Sequence, residues 1–432
     1  MNNQQSIAGI SDNKSRILLP IFIAITLSAL FLLNRGISSV SRLTSLALII
    51  VGIFLHVNDL ICLIAAILPT GNVYMVTSGN TVIPFLLVIY LAKTVVRNRR
   101  SIDVEAMKSL VWVLVLIVIS LSTTTFYGIT VMKILPFYLH VVFIIFALRV
   151  NRVNQEWIYN KVALHFVTGT LLVCVGTTLF PDLTYSLGNA SIYVKENAGF
   201  SSTWDFGRSL TISIAFIVVD MLKARKRILI DLPLCLIMLY FIIQSGRFSM
   251  LLGLGALIAL FPFITGKDKP LHQRVFHSLI MIGVMLVAVV ALYQLIYLPM
   301  STLRGSAASD NGRFDIWRKY IECINQDALL ALFGVGGGAV ASFADMIGYP
   351  TAHNILLEKI VEVGFVGIII FAMFFVSLYK GKDISPFRNI NVLPLVAFLG
   401  TSLTQGTTGN IAFALLLALC AKDRLDGGVT YI

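Results

Sequence analysis

Residues 228–265 read ILIDLPLCLIMLYFIIQSGRFSMLLGLGALIALFPFIT, two apolar runs joined by a short turn that carries one cation, Arg247. Similar runs recur along the chain, and such runs are long enough to cross a hydrocarbon core of roughly 30 Å. Of the 432 residues, 57% are hydrophobic and only 12% are charged, well below the roughly 25% of a soluble domain. Because lipid cannot satisfy backbone N–H and C=O groups, the runs are predicted to be helices.

The apolar runs predict an all-α, polytopic integral membrane protein with about 12–14 transmembrane helices. One run, 43–68, is interrupted by His56, Asn58 and Asp59 and fits either one broken helix or two segments, which leaves the side of the N-terminus open. The candidate spans are 17–33, 43–68, 80–96, 109–126, 129–148, 159–180, 208–223, 228–244, 248–265, 276–298, 354–379, 391–405 and 409–421.

The basic residues predict the orientation of these spans. From the third span onward, Lys and Arg clusters lie on one side, which the positive-inside rule marks as cytoplasmic. Because this rule explains the net charge of +12, no nucleic-acid partner is needed. The clusters lie at 97–108, 149–161, 223–227, 267–274, 380–388 and 422–424.

Two connections on the outer side are long, 181–207 and 299–353, and loops of this length are usually lids or binding loops. The second contains RFDIWRKYIECINQDALLALFG (313–334), which predicts an amphipathic helix that lies along the outer interface or roofs a cavity. The glycines after Phe333 are predicted to end it. Its apolar positions near helical spacing are Ile316, Tyr320, Ile324, Ala328 and Leu332.

This pattern divides the chain into three predicted regions. Transmembrane helices fill 1–180, a catalytic-motif region with both outer loops fills 181–380, and the last transmembrane helices fill 381–432.

Several cations on the outer side oppose the insertion bias. Arg247 stands in a tight turn between apolar runs, which is costly unless the guanidinium pairs with an anion or reaches water. Arg binds phosphate bidentately, so a phosphate-bearing lipid or sugar carrier is a suitable partner. Two alternatives stay open: Arg247 can reach lipid headgroups or pair with Asp310, and Arg313 can pair with Asp310 or Asp315. The remaining outer cations, each also compatible with solvated surface, are Arg208, Arg304, Arg318 and Lys319.

His353 and Asn354 lie at the outer mouth of the 354–379 span. A neutral imidazole can take a proton from a sugar hydroxyl, the task of a general base in glycosyl transfer. The alternatives are a residue that caps the helix N-terminus and an aromatic residue at the membrane interface. Glu358 and Glu362 lie about 140° and about 180° from His353 around a helix, so they are weaker candidates and are expected to pair with Lys359 or with cations of other helices.

The motifs of nucleotide and metal chemistry are missing from the sequence: it has no P-loop, no HExxH and no paired His/Cys spacing. The cytoplasmic connections are also too short to form a nucleotide-sugar domain. An activated sugar would therefore arrive on a lipid, and arginines would stabilise a departing pyrophosphate. We expect neither a metal nor a cofactor.

Four motifs together resemble a known family. In chain order, SGRFSMLLGLGALIAL, NGRFDIWRKYIE, LFGVGGGAV and AHNILLEKIVEVGFVGIIIF are similar to the motif series of the O-antigen polymerase and O-antigen ligase superfamily, Wzy-like bacterial inner-membrane proteins of the GT-C type. The similarity covers roughly residues 200–380.

The resemblance implies metal-independent glycosyl transfer at the periplasmic face of the inner membrane, from an undecaprenyl-pyrophosphate-linked glycan to a hydroxyl acceptor. By matching motif, Arg247 and Arg313 would hold the donor pyrophosphate and His353 would be the general base. Further candidates for substrate binding are Arg208, Arg304, Arg318 and Asn354.

The family divides by acceptor. A polymerase transfers the growing glycan chain to the next lipid-linked repeat unit, whereas a ligase transfers the finished chain to lipid A-core. Ligases often have a second His two residues before the first, but this chain has Thr351 there, which favours polymerase. A chain-length regulator is a further possible partner. A hypothesis from another functional class is that the chain is a flippase or transporter of lipid-linked oligosaccharide. It fits the sequence less well than an enzyme does, because the polar residues cluster at one interface and no internal repeat is evident.

Overall fold

A computed structural model of the chain confirms the all-α prediction in the part that it describes. Apart from helices, this part contains a short antiparallel hairpin of β1 (Met75–Thr77) and β2 (Asn80–Thr81). The described residues are 2–35, 37, 39–77, 80–97, 104–123, 144, 155–180, 203–223, 227–245, 248–265, 269–292, 294, 313–336, 352, 354–379, 390–403 and 411–422.

Most α-helices follow the predicted runs to within six residues at each end. Helix α1 (Asn2–Asn34) begins well before the predicted start at 17, and the predicted span 129–148 lies outside the described residues except at 144. Two 3-10 helices, Leu68–Val73 and Ile390–Val392, accompany them. The α-helices are α1 Asn2–Asn34, α2 Ser39–Phe54, α3 Val57–Ile67, α4 Ile83–Arg97, α5 Val104–Thr123, α6 Gln155–Leu179, α7 Thr203–Lys223, α8 Ile228–Ser245, α9 Phe248–Thr265, α10 Leu271–Leu292, α11 Arg313–Gln326, α12 Ala328–Phe333, α13 Ile355–Tyr379, α14 Leu393–Ser402 and α15 Ile411–Lys422.

Among these helices, one passes a strict test of length and apolarity for crossing a membrane, in α6 at Trp157–Leu179 over 23 residues. The predicted count of about 12–14 spans remains a prediction. The described residues also contain apolar stretches that are shorter than this test requires. These stretches are Leu18–Asn34, Ser39–Phe54, Val57–Thr70, Val111–Thr123, Ile228–Ile243, Met250–Ile264, Leu271–Val287 and Ile390–Ser402.

The chain forms two compact units. Unit 1 comprises Met1–Arg99 and Val153–Ser245, and unit 2 comprises Arg100–Arg152 and Gly246–Ile432. The three regions predicted from the sequence remain a prediction about organisation. All the candidate site residues except Arg208 belong to unit 2.

In unit 1 the interrupted segment 43–68 forms two helices that turn back on each other. The Ser41 hydroxyl at the start of α2 donates to the Val73 carbonyl (2.6 Å) and accepts from the Met75 amide (2.9 Å). The start of α2 therefore lies beside the residues that follow α3. His56 caps α3 by accepting from the Asn58 amide at 3.3 Å. Of the two alternatives for this segment, the structure has two helices.

Helices α3 and α6 of unit 1 pack side by side in the same direction. Gly169 of α6 sits so close to Ala66 of α3 that a Cβ on Gly169 would lie 2.2 Å from the Ala66 carbonyl oxygen. Earlier in both helices, the charge of Lys161 acts on Cys62. Since Lys161 acts on Cys62 and Gly169, later in α6, approaches Ala66, later in α3, the two helices begin at the same end of the unit.

Basic side chains gather at this end. Arg97, the last residue of α4, contacts the His56 ring through Nη1 and Nε2 at 2.6 Å. Lys223, the last residue of α7, places its ammonium 4.7 Å from the centre of the Tyr159 ring near the start of α6. Cations that the positive-inside rule assigns to one side of the membrane thus share one end of unit 1.

In unit 2, a chain of close contacts connects α9 to α13. A Cβ on Gly400 of α14 would lie 2.9 Å from the Cα of Gly253 in α9, the close approach that small residues permit between membrane helices. One turn or less from Gly400, Phe398 packs on Phe413 of α15 with ring centres 5.4 Å apart. Phe413 in turn stacks on Phe371 of α13 at 6.3 Å. The helix that follows Arg247 and the helix that follows His353 are thus connected within one unit.

Candidate functional site

The predicted amphipathic segment forms two helices, α11 and α12, because Asp327 interrupts it. The Asp327 carboxylate accepts from the amides of Leu329 (2.8 Å) and Leu330 (3.2 Å) and so starts a new helix. Ile316, Tyr320 and Ile324 are buried as their spacing predicts. The positions expected next, Ala328 and Leu332, are exposed, and Leu330 is buried instead. The prediction is wrong there because the cap restarts the helical register.

Helix α12 exposes apolar side chains. Leu329 is 70% exposed, and Leu332 and Phe333 are exposed as well. Exposed apolar residues on α12 that follow the exposed cations Arg318 and Lys319 of α11 are a composition that suits the boundary between headgroups and acyl chains. The placement of the segment along the outer interface or over a cavity remains a prediction.

The predicted span 354–379 is broken at Gly364, where φ is 64° and ψ is −177°. A break leaves carbonyls of the preceding turn without helical partners. The chain after α12 satisfies two of them: the Val335 amide donates to the Val361 carbonyl (2.8 Å) and the Gly336 amide to the Glu362 carbonyl (3.0 Å).

Two glycines make this backbone contact possible, and we call the contact the glycine clamp, formed by Gly334–Gly336 and Val361–Gly364. A Cβ on Gly334 (φ 72°) would lie 2.5 Å from the Glu362 carbonyl carbon, and a Cβ on Gly364 would lie 2.3 Å from the carbonyl carbon and oxygen of Leu332. Both distances are shorter than real side chains tolerate. The end of α12 is thereby fixed to the broken helix. Gly334 also ends α12 as predicted, since its amide donates to the Leu330 carbonyl.

The residues on either side of His353 are both held in place. The Trp317 indole N–H of α11 donates to the carbonyl of Ala352, which is buried, at 2.8 Å. The Asn354 side-chain oxygen accepts from the amides of Leu356 (2.9 Å) and Leu357 (3.2 Å). Asn354 is therefore the N-cap of α13, the role considered for His353 as an alternative to catalysis.

The predicted catalytic residues stand at helix starts. Arg247 immediately precedes Phe248, the first residue of α9; Arg313 is the first residue of α11; and His353 is two residues before Ile355, which begins α13. Helix N-termini carry partial positive charge and free N–H groups that favour anions. Arg247, Arg304, His353 and the side chain of Arg313 lie outside the described part.

The other candidates differ in their surroundings. Arg208 is only 3% exposed, in α7 of unit 1, whereas Arg318 is exposed on α11 of unit 2. Asn354 uses its carbonyl oxygen as a helix cap and keeps its amide group for other contacts.

Two buried acids lie near Tyr320 of α11, and their angular distance from His353 makes them weaker candidates for catalysis. Glu358 is buried, and Glu362 is 0% exposed. Lys359 binds Glu362 Oε2 at 2.5 Å, which confirms the expected pairing for that acid; among the described residues, Glu362 Oε1 has no hydrogen-bond partner. Burial, and then the charges of Glu358 and Glu362, raise the pKa of the buried Tyr320 hydroxyl. The sequence feature that points to these acids is the presence of two carboxylates, with Lys359 between them, in an otherwise apolar helix.

The comparison with protein families matches residues 233–372 to the O-antigen ligase model. This range contains Arg247, Arg313, His353 and the glycine clamp, but not Arg208. No curated protein and no solved structure matches the chain. The match supports a membrane enzyme that transfers glycans on lipid-linked substrates, with an activity of the O-antigen ligase or polymerase type. The resemblance of the motifs is thus confirmed: the family match at residues 233–372 supports the O-antigen ligase and polymerase superfamily.

Proposed function

We propose that the chain is a polysaccharide polymerase, for O-antigen or capsule, in the bacterial inner membrane. It transfers a glycan from an undecaprenyl-pyrophosphate donor to a hydroxyl of another lipid-linked repeat unit at the periplasmic face. The observation that carries this proposal is the family match, because the matched range contains all three predicted catalytic residues and all three belong to unit 2.

Two arginines and the helix starts beside them suit the donor. Arg247 and Arg313 each stand at the N-terminus of a helix, so the guanidinium and the partial positive charge of the helix would act on the same diphosphate. Such fixed positive charge stabilises a leaving pyrophosphate in the way that a metal ion otherwise would. We therefore propose a transfer that is independent of metal.

His353 is the proposed general base. Its imidazole removes the proton of the acceptor hydroxyl as that oxygen bonds to the anomeric carbon, while the bond from this carbon to the pyrophosphate oxygen breaks. Undecaprenyl pyrophosphate leaves with the bonding electrons, and the proton stays on the imidazole until water takes it.

The contacts of α11 support a shared site for Arg313 and His353. Arg313 lies one helical turn before Trp317, about 6 Å along the helix axis. Trp317 is in turn hydrogen-bonded to Ala352, the residue before His353. Arg313 and His353 are therefore separated by one turn of helix, one hydrogen bond and one peptide unit.

The proposed orientation of the chain in the membrane follows from the end of unit 1 where Arg97 and Lys223 lie. We propose that this end is cytoplasmic. Helix α3 begins there, and α2 runs in the opposite direction beside it, so α2 begins at the outer end. Helix α1, joined to α2 by a few residues, then ends outside and begins inside. If the predicted span 129–148 is counted as well, alternation would put the starts of α9 and α13 on the periplasmic side.

Ligase activity is the second candidate, because the family model that matches is described as O-antigen ligase. The acceptor would then be lipid A-core. Thr351, at the place where ligases often have a second His, favours the polymerase.

Purified protein incubated with lipid-linked repeat unit, with and without lipid A-core, tests the proposal. A ladder of lipid-linked products without lipid A-core identifies a polymerase, and glycan attached only to lipid A-core identifies a ligase. If neither product forms, while cells with His353→Ala accumulate the repeat unit on the cytoplasmic side, a flippase replaces the enzyme proposal.

A further inference from the structure

Trp317 connects the two parts of the proposed site. Its ring is half-buried in the cluster that α11 forms with α12 and the first half of α13, and its N–H donates to the carbonyl beside His353. The buried members of this cluster are Ile316, Tyr320, Ile324, Leu330, Ala352 and Val361. An indole has one N–H donor and no acceptor, and in Trp317 this donor is used by the Ala352 carbonyl.

The same helices are fixed at a second place. The glycine clamp holds the end of α12 on Val361–Gly364 through two backbone hydrogen bonds of 2.8 and 3.0 Å. With α12 fixed there and Trp317 bonded to Ala352, α11 cannot shift relative to α13 unless one of these contacts breaks. Helices α11 and α12 and the first half of α13 thus form one packed piece.

We propose that Trp317 is a positioning residue that sets the location of His353 relative to Arg313 during transfer. The proposal rests on the proposed function, in which His353 is the base. Trp317 holds the peptide before His353, and the Asn354 cap holds the peptide after it. Without the indole N–H, the peptide before His353 loses this hydrogen bond, and a displacement of about 1 Å at a reacting group costs up to about a hundredfold in rate.

The test compares Trp317→Phe with Trp157→Phe. Phenylalanine keeps an aromatic ring and removes the N–H. Trp157 is the matched control, since it lies in α6 of unit 1 with its ring 5.8 Å from the Lys161 ammonium. The probe is undecaprenyl-pyrophosphate-linked repeat unit extracted from host cells that lack this chain, and kcat and KM are measured per folded molecule.

For Trp317→Phe we expect kcat to fall about tenfold to about a hundredfold, while KM for the donor changes less than about twofold because the arginines remain. Trp157→Phe should keep both constants. A purely structural role for Trp317 would lower the yield of folded protein and leave kcat per folded molecule unchanged, which would overturn the proposal. If Trp317→Phe does not fold, benzothienylalanine at position 317, which keeps the bicyclic shape without the N–H, gives the same comparison.

His353→Ala separates this inference from the proposed function. Activity retained in His353→Ala contradicts the proposed role of the base itself. Loss of activity in His353→Ala together with wild-type kcat in Trp317→Phe contradicts only the positioning role.

Discussion

Gly364→Ala is the substitution whose effect follows most directly from the geometry of the glycine clamp. With φ 64° and ψ −177°, the position lies in a backbone region that only glycine visits without strain, and other residues pay about 1–3 kcal/mol there. The new Cβ would also lie 2.3 Å from the Leu332 carbonyl and 2.4 Å from the Phe333 amide nitrogen. Relieving such an overlap by backbone shifts costs about 1–3 kcal/mol more.

The two terms together predict a loss of about 2–6 kcal/mol, a large part of the roughly 5–15 kcal/mol that stabilises a typical domain. The clamp cannot open without cost, because separating α12 from α13 breaks the hydrogen bonds of Val335 and Gly336. We therefore expect a lower unfolding temperature and weaker glycan transfer for Gly364→Ala.

The assay is thermal unfolding of the purified protein in detergent, at one scan rate, followed by transfer from the lipid-linked repeat unit. Gly283→Ala is the matched control: it lies in α10, and its Cβ would meet nothing within 4 Å. Alanine there should be neutral or stabilising by up to about 1 kcal/mol through helix propensity. Equal unfolding temperatures and equal transfer in the two variants would refute the reasoning about the clamp.

Three further predictions concern the proposed chemistry. Arg247→Lys keeps the charge but loses the bidentate fork, so we expect severe loss of polymer; wild-type chain length in this variant, analysed on gels, would remove Arg247 from the site. Chelators should leave the activity of purified protein unchanged, and inhibition that a divalent ion reverses would contradict the metal-free transfer. Asn354→Asp should keep the helix cap and the unfolding temperature, whereas Asn354→Ala should lose about 1 kcal/mol of stability; a fall in transfer for Asn354→Asp at unchanged stability would indicate that the side-chain amide binds substrate.

The sequence predicted the features of the loop that depend on local pattern. The 3.6-residue spacing correctly predicted the buried face of α11 from Ile316 to Ile324. It failed after Asp327, because a side-chain cap restarts a helix at a place that periodicity alone does not show. The break at Gly364 was also not predicted, since a glycine in an apolar run is ordinary in membrane helices. Its cause is tertiary: amides from Val335 and Gly336, about 26 residues earlier in the chain, replace the helical partners.

In the candidate site, too, the sequence predicts features that depend on local pattern and misses those that depend on contacts between distant residues. Residue chemistry and motif order select Arg247, Arg313 and His353 as candidates, and the range of the family match contains all three. The sequence offered the capping role as an alternative for His353, whereas the structure gives it to the adjacent Asn354, because either of two neighbouring polar residues can cap a helix. The connection through Trp317 could not be predicted, since it joins a side chain to a backbone carbonyl 35 residues away.

Cysteine labelling with donor protection tests most directly the claim that Arg247 and His353 share one substrate on the periplasmic side. In a background without the five native cysteines, Arg247→Cys and His353→Cys are each exposed to a membrane-impermeant maleimide in intact spheroplasts, with and without accumulated lipid-linked donor. We predict that both positions react from outside and that the donor slows both reactions. Labelling of either position only after the membrane is permeabilised, or protection of one position without the other, would contradict the account.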